Sequence, residues 1–259
     1  MSYGLQISAS GAFGAMYRQD VFANNLANMD TVGFKPEVPS PLARQAVTKE
    51  DHVGYLPSNA LLERLGGGLL MNPNRLKLEQ GSLRTTGRDL DVAIEGTGFL
   101  TVKDPEAKGA GDALLTRDGR LARNAQGLLV MATTGLPLMD AQNRPIEIAD
   151  NGKVLIGQDG IVRQNGVEMG RLNLVEVPDP GTMERRGSNL YRPNPDQLKR
   201  KSASMAEIRS GHVEESVVDE VKALMDVTSA ARDVDANIAM IQQHDRLMER
   251  AIQSLGRTA

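Results

Sequence analysis

Apolar and polar positions change their period twice along this chain. From Leu5 to Asn28 the residues Leu5, Ala9, Ala12, Met16, Ala23 and Leu26 recur at spacings of three and four, interrupted by polar Gln19. That spacing puts them on one face of a helix. Ser8 or Ser10 offers a local cap, and the Asn-rich end followed by Gly33 and Pro36 predicts a stop. The C-terminal end carries a longer pattern. Leu224, Val227, Ala231, Val234, Ile238, Ile241, Met248, Ile252 and Leu255 follow the same alternation, with only Asp245 breaking the apolar series. With no Gly or Pro inside it, this stretch predicts a helix from Ser216 to Leu255, about 60 Å long at 1.5 Å per residue. Ser216 is its expected cap. A compact domain rarely needs that length, so the seam is expected to pack on something outside its own core.

Between the helices the pattern shortens to β-type runs. Leu90 to Ile94 alternates, and Gly98-Phe99-Leu100-Thr101-Val102 follows a Gly-Thr-Gly break. Leu114 to Thr116 and Leu121 flank Asp118-Gly119, which predicts a hairpin turn. Leu128 to Met131, Val154 to Ile156 facing Ile161-Val162 across Asp159-Gly160, and Leu172 to Val177 complete the series. Such density of strands and turn signals predicts an all-β domain.

The expected fold class is therefore α+β, with long N- and C-terminal helices and a central β domain. Residues 1–35 form the N-terminal helix and hinge, 36–71 an extended loop, 72–178 the β domain, 179–210 a returning loop, and 211–259 the C-terminal helix. The two loops are assigned from Pro39, Pro41, Pro57 and Gly66-Gly67-Gly68 in one, and from Pro180, Pro193, Pro195 and Lys199-Arg200-Lys201 in the other. No fixed-period repeat is present.

Composition narrows the function. A net charge of −3 leaves no basic footprint for nucleic acid. Four Phe, four Tyr and no Trp supply few stacking platforms. The absence of cysteine excludes disulfides, thiolate nucleophiles and Cys-based zinc sites. Met1-Ser2-Tyr3-Gly4-Leu5 lacks a basic segment leading into an apolar one, so no cleavable signal is expected, and no apolar run of about 18 residues predicts a membrane span.

Catalytic and cofactor chemistry finds no foothold. His52, His212 and His244 lack metal-ligand spacing and read as surface or loop residues. Gly96-Thr97-Gly98 lacks the third glycine of a dinucleotide loop and leads into a strand, so it reads as a strand break. No Gly-x-Ser-x-Gly elbow or paired carboxylates stand out. No catalytic, cofactor or metal residues are assigned. Lys199-Arg200-Lys201 reads as a solvated charge run.

Several stretches match a family pattern. Asn24, Asn25, Leu26, Ala27 and Asn28, then Thr31, Gly33, Phe34 and Lys35, resemble the N-terminal signature of bacterial flagellar rod and hook proteins. The spacing of Ser10-Gly11, Ala15, Arg18 and Asp20 fits it as well. In the middle, Gln80-Gly81-Ser82-Leu83, Thr86-Gly87, Leu90 to Ile94, Gly96-Thr97-Gly98-Phe99, Thr116-Arg117-Asp118-Gly119 and Gly127 to Val130 resemble the β domain of the same family, in the same order. Gly211, Val213, Glu214 and Ser216 resemble the motif that opens the C-terminal helix. Val217 stands where the family usually has Asn, and Ser229 to Val234 replaces its usual aromatic block.

The resemblance implies a structural axial subunit and no enzyme. The length, without a large inserted domain, resembles a rod protein of proximal or distal type more than a hook protein. Its terminal helices would pair as a coiled-coil-like layer lining a helical tube that transmits torque, with the β domain outside that layer. Residues 24–28, Thr31, Gly33 and Phe34 would be the hinge that turns the chain out of that layer. Partners would be further copies, neighbouring rod and hook proteins and the flagellar type III export apparatus, with no nucleic acid, small-molecule substrate or cofactor. Its place would be the periplasm-spanning rod of the basal body. The rival from another class is a secreted β-rich binding module or enzyme, which requires a deep polar pocket with convergent ionisable groups.

Overall fold

The computed structural model describes residues 2–45, 67–106, 113–149 and 152–256. Helix α1 runs Ser2–Ala27, the short α2 Pro195–Lys199, and α3 Glu220–Gly256, with β structure between. The fold is α+β. The chain divides into two compact units, one of residues 1–27, 37–74 and 219–259, the other of 28–36 and 75–218.

In the first unit α1 packs on α3. Gly4 lies against the His244 ring, Gly11 against the Asn237 side chain, and Arg18 pairs with Asp233 at 2.9 Å. Numbers rise along α1 as they fall along α3, so the helices are antiparallel. Small residues make the contact: Ser8, Ala12, Gly14 and Ala15 are buried on α1, and Ala223 and Ala230 on α3. Gly11 and Gly14, unfavourable for an isolated helix, are positions of close approach here, Gly14 against Leu69.

The caps differ from expectation. Asp219, not Ser216, caps α3, its Oδ1 accepting from Lys222 N at 2.9 Å. Val217 and Val218 are β-branched and stay outside the helix. Ser10 is no cap either: it lies within α1, its hydroxyl donating to Ile7 O and accepting from Leu69 N.

The stretch expected as an extended loop at 36–71 contains a strand, Glu37–Ala43, that pairs with Leu69–Leu76, while residues 46–66, with Pro57 and Gly66, lie outside the described ones. Pro39, Pro41 and Pro73 suit a two-stranded ribbon with free edges. They also obscure its alternation.

The second unit is built on a six-stranded antiparallel sheet, ordered Glu184–Arg185, Leu190–Arg192, Ala113–Thr116, Phe99–Lys103, Leu174–Glu176, Ser202–Ala203. Both faces are covered. Leu100, Val102 and Leu114 point into the larger core with Leu129, Leu138, Val162 and Ile208, and Phe99, Leu115, Val175 and Tyr191 into a second one. Alternate side chains face opposite sides, so double burial explains the unbroken apolar runs.

Two expectations are corrected here. Asp118-Gly119 makes no hairpin: Ala113–Thr116 pairs with Phe99–Lys103, while Leu121–Arg123 pairs with Leu129–Met131. The Asp118 carboxylate instead takes the Arg120 guanidinium, and Gly119 O accepts from Val92 N. The β unit also does not end at 178. Residues 179–210, expected as a loop, hold strands Glu184–Arg185, Leu190–Arg192, Ser202–Ala203 and Glu207–Ser210 together with α2. Each is too short for a readable period. The turn at Asp159-Gly160 forms as expected, joining Val154–Ile156 to Ile161–Gln164.

The close α1–α3 approach gives a test. A Cβ on Gly11 would lie 2.5 Å from Asn237 Oδ1. Gly11→Leu should weaken the helix pair by about 1–3 kcal/mol through overpacking. Amide exchange should quicken in α1 and α3 while that of Phe99–Lys103 stays as it was. Unchanged helix exchange would remove this contact from the account.

Candidate functional site

The signature at the end of α1 and just beyond it is a series of backbone clamps. Buried Asn25 binds both polar groups of Glu37, its Nδ2 donating to Glu37 O at 2.8 Å and its Oδ1 accepting from Glu37 N at 3.0 Å. Asn28 and Thr31 close a turn, with Thr31 N on Asn28 O and Thr31 Oγ1 on Asn28 Oδ1. Asn189 holds the next residue through Val32 O at 2.7 Å. Gly33 then adopts φ +68°, and its N–H donates to Glu214 O at 2.7 Å. Phe34 is fully buried, with the Arg185 guanidinium 4.3 Å from its ring centroid. Asn24 and Ala27 are exposed and Leu26 half-buried.

Lys35 enters an ion cluster. Its side chain and that of Glu214 are both 0% exposed, and Nζ lies 2.7 Å from Glu214 Oε1 and 2.6 Å from Glu79 O. Arg117, 4% exposed, reaches the same carboxylate at 3.2 and 3.3 Å. Its Nε and Nη2 donate to Gly98 O and Gly96 O, and its guanidinium stands 5.4 Å from the Phe99 ring centroid. Gly81 N also donates to Glu214 Oε1. The Gly-Thr-Gly break thus cradles a guanidinium with two carbonyls.

The cluster holds two cations and one anion. Burial pushes the Lys35 ammonium below the ordinary lysine range, and the Glu214 carboxylate opposes that shift. Removing one partner of such a buried pair typically costs about 3–5 kcal/mol. Lys35, Arg117 and Glu214 stand inside the motifs quoted from the sequence, but nothing in their spacing reveals that they meet. The available signal was three charged residues set among glycines and apolar residues.

The expected interface residues divide. Ala12 is buried; Leu5, Ala9, Leu26, Val227, Ala231, Val234 and Ile241 are half-buried; Met16, Ala23, Leu224, Ile238, Met248 and Ile252 are exposed. The Leu255 side chain lies outside the described ones, as does His52. His212 turns its ring nitrogen to Ser210 O and His244 packs on Gly4. Among the described residues no group of His, Cys, Asp and Glu could hold a metal ion.

Open grooves of about 400 and 530 Å³ lie on the β unit. In one, Arg192 pairs with Asp104 and Glu106; in the other, Arg171 donates to the backbone carbonyl of Asp159. Both are open grooves, whereas the rival enzyme reading needs a deep polar pocket.

A family model described as "Flagella basal body rod protein" matches residues 5–35, and one described as "Flagellar hook protein FlgE/F/G D1 domain" matches 93–164. A Caulobacter vibrioides protein named "Flagellar basal-body rod protein FlgF" is 32% identical over 92% of this chain and 91% of its own length. The chain belongs to the flagellar basal-body rod protein family. "Flagellar basal-body rod protein FlgG" of Buchnera aphidicola subsp. Schizaphis graminum is 29% identical over 96% of the chain and 98% of its own. "Flagellar hook-basal body complex protein FlhP" of Bacillus subtilis is 27% identical over 93% and 96%. Membership makes this a structural rod protein of the flagellar basal body that assembles with other rod and hook proteins. The rod match contains Lys35 and the D1 match Arg117; Glu214 lies in neither and joins the two. No helix among the described residues is long and apolar enough to cross a membrane.

Two outcomes follow from this geometry. A Cβ on Gly33 would lie 2.5 Å from Arg117 O and 2.8 Å from Asp118 N, backbone atoms that cannot swing aside. Gly33→Val should cost the β unit about 2–5 kcal/mol, adding positive-φ strain to overpacking. Gly187→Ala, at φ +80° with open space around it, should cost only about 1–2 kcal/mol in urea unfolding. Equal losses would refute the steric argument. For Lys35, the unfolded chain holds the proton more tightly than the folded one over the interval below the ordinary lysine value of about 10.4. Stability relative to Lys35→Met should therefore rise with pH across that interval, and a flat difference would contradict the depressed value.

Proposed function

We propose that this chain polymerises with further copies of itself into the helical tube of the rod, transmitting torque from motor to hook. The observation behind this reading is the apolar surface left over when α1 and α3 pair. Their contact uses small side chains, so Phe13, Met16 and Tyr17 on α1 remain exposed, as do Val221, Leu224, Met225, Ile238, Met240, Leu247, Met248 and Ile252 on α3. Met225 is 65% and Ile252 69% exposed. Large apolar side chains left exposed in this number on a helix pair point to an interaction surface. Burying it between copies is worth roughly 25 cal/mol per Å².

In this reading α1 and α3 form a coiled-coil-like layer, and the expected seam residues Leu224, Ile238, Met248 and Ile252 face neighbouring copies. A repeated contact whose rotation does not close yields a helical filament. The polypeptide would reach the periplasm-spanning rod through the flagellar type III export apparatus.

Ile238→Asp separates subunit folding from assembly. Ile238 is 42% exposed in the free chain, so the subunit should keep its stability to within about 0.5–1 kcal/mol. Electron microscopy of concentrated protein should show no filaments, and cells carrying the variant should build no functional rod. Normal rods, or an unfolded subunit, would count against a between-copy role for this face.

A further inference from the structure

The single anion of the buried cluster is also its last member in chain order. Lys35 precedes Glu214 by 179 residues and Arg117 precedes it by 97. Without Glu214 the site would bury an ammonium and a guanidinium with backbone carbonyls around them and no buried counter-charge, an arrangement that proteins avoid. The same short stretch does more. Ile208, fully buried, belongs to the main core, and Glu207–Ser210 pairs with Val92–Glu95. His212–Glu214 pairs with Leu83–Thr85, while Glu214 O receives Gly33 N–H and Glu214 Oε1 receives Gly81 N–H.

We propose that Glu214 is the gating counter-ion for folding of the β unit. Residues 28–36, the middle strands and residues 207–215 acquire native structure in one all-or-none step. The stretch that follows α1 and the stretch that leads towards α3 then dock together or not at all. Lys35 acts as a positioning residue, tying the first of these stretches to the carboxylate of the second. A chain in which residue 214 has not yet arrived keeps its middle strands open, although nearly all of their core residues are present. The inference uses contacts inside the β unit only and stands apart from the polymerisation reading.

Refolding of the full-length chain from denaturant, followed by pulsed hydrogen exchange, tests the gate. The reporters are Leu129 N–H and Leu138 N–H in the middle, and Gly33 N–H and Glu215 N–H in the flanking stretches. All four should become protected in a single phase. Earlier protection of Leu129 and Leu138 would overturn the proposal. Glu214→Gln should slow that phase at least about tenfold, because it buries two uncompensated cations. Adding Lys35→Met to Glu214→Gln should recover most of the lost rate by removing one of those cations, and Lys35→Met alone should keep the single phase. If Glu214→Gln never reaches the protected state, recovery in the double variant supports the gate. A double variant as impaired as the single one overturns it.

Discussion

A carboxylate buried between an ammonium and a guanidinium ties together the parts of the β unit that lie farthest apart in sequence. Glu214 has no water to solvate it, so its charge must be met by Lys35 and Arg117 and its remaining acceptor capacity by Gly81 N–H. Each partner makes its own demand. Arg117 needs carbonyls, which Gly96 and Gly98 supply from positive-φ positions. Lys35 needs its chain close to Arg117, and Gly33 permits that approach because no Cβ stands in the way. Buried ion pairs add little net stability over a well-packed apolar alternative. The value of this one lies in specificity: it fixes where two distant parts of the chain meet.

The helical unit follows a different logic. Small residues bring α1 and α3 together, with Arg18–Asp233, Gly11–Asn237 and Gly4–His244 along their contact. Many large apolar side chains, Phe13, Met225 and Ile252 among them, stay on the outside, where a monomer gains little from them. In a rod protein that surplus is intelligible as surface held for neighbours, and the pairing of the two helices decides which side chains it presents.

The sequence made the two helices and the β character of the middle legible because long periodic seams and dense turn signals survive without tertiary context. It also carried the family motifs. What it hid were decisions made by partners. Asp118-Gly119 looks like a hairpin turn until the Asp118 carboxylate is committed to Arg120. Ser216 looks like a cap until Asp219 is seen three residues before the amide it receives. Leu190–Arg192 and Glu207–Ser210 are each too short to show a period, so a fully buried Tyr191 or Ile208 goes unnoticed. The expected seam residues divide among buried, half-buried and exposed positions, and periodicity alone gives no way to know that alanine, serine and glycine would be so prominent in the contact between α1 and α3. The cluster of Lys35, Arg117 and Glu214 joins positions no local pattern relates.

The central claim is that the outer face of the helical pair is surface for other subunits. Oxidative footprinting of methionines, compared between the free chain and isolated basal bodies, reads this directly. Met225, Met240 and Met248 on α3 are exposed in the free chain, whereas Met131 and Met183 are buried in the β unit. The account predicts rapid labelling of the three α3 methionines in the free chain and strong protection of them in rods, with Met131 and Met183 protected in both. Equal labelling of Met225, Met240 and Met248 in the two samples would contradict it.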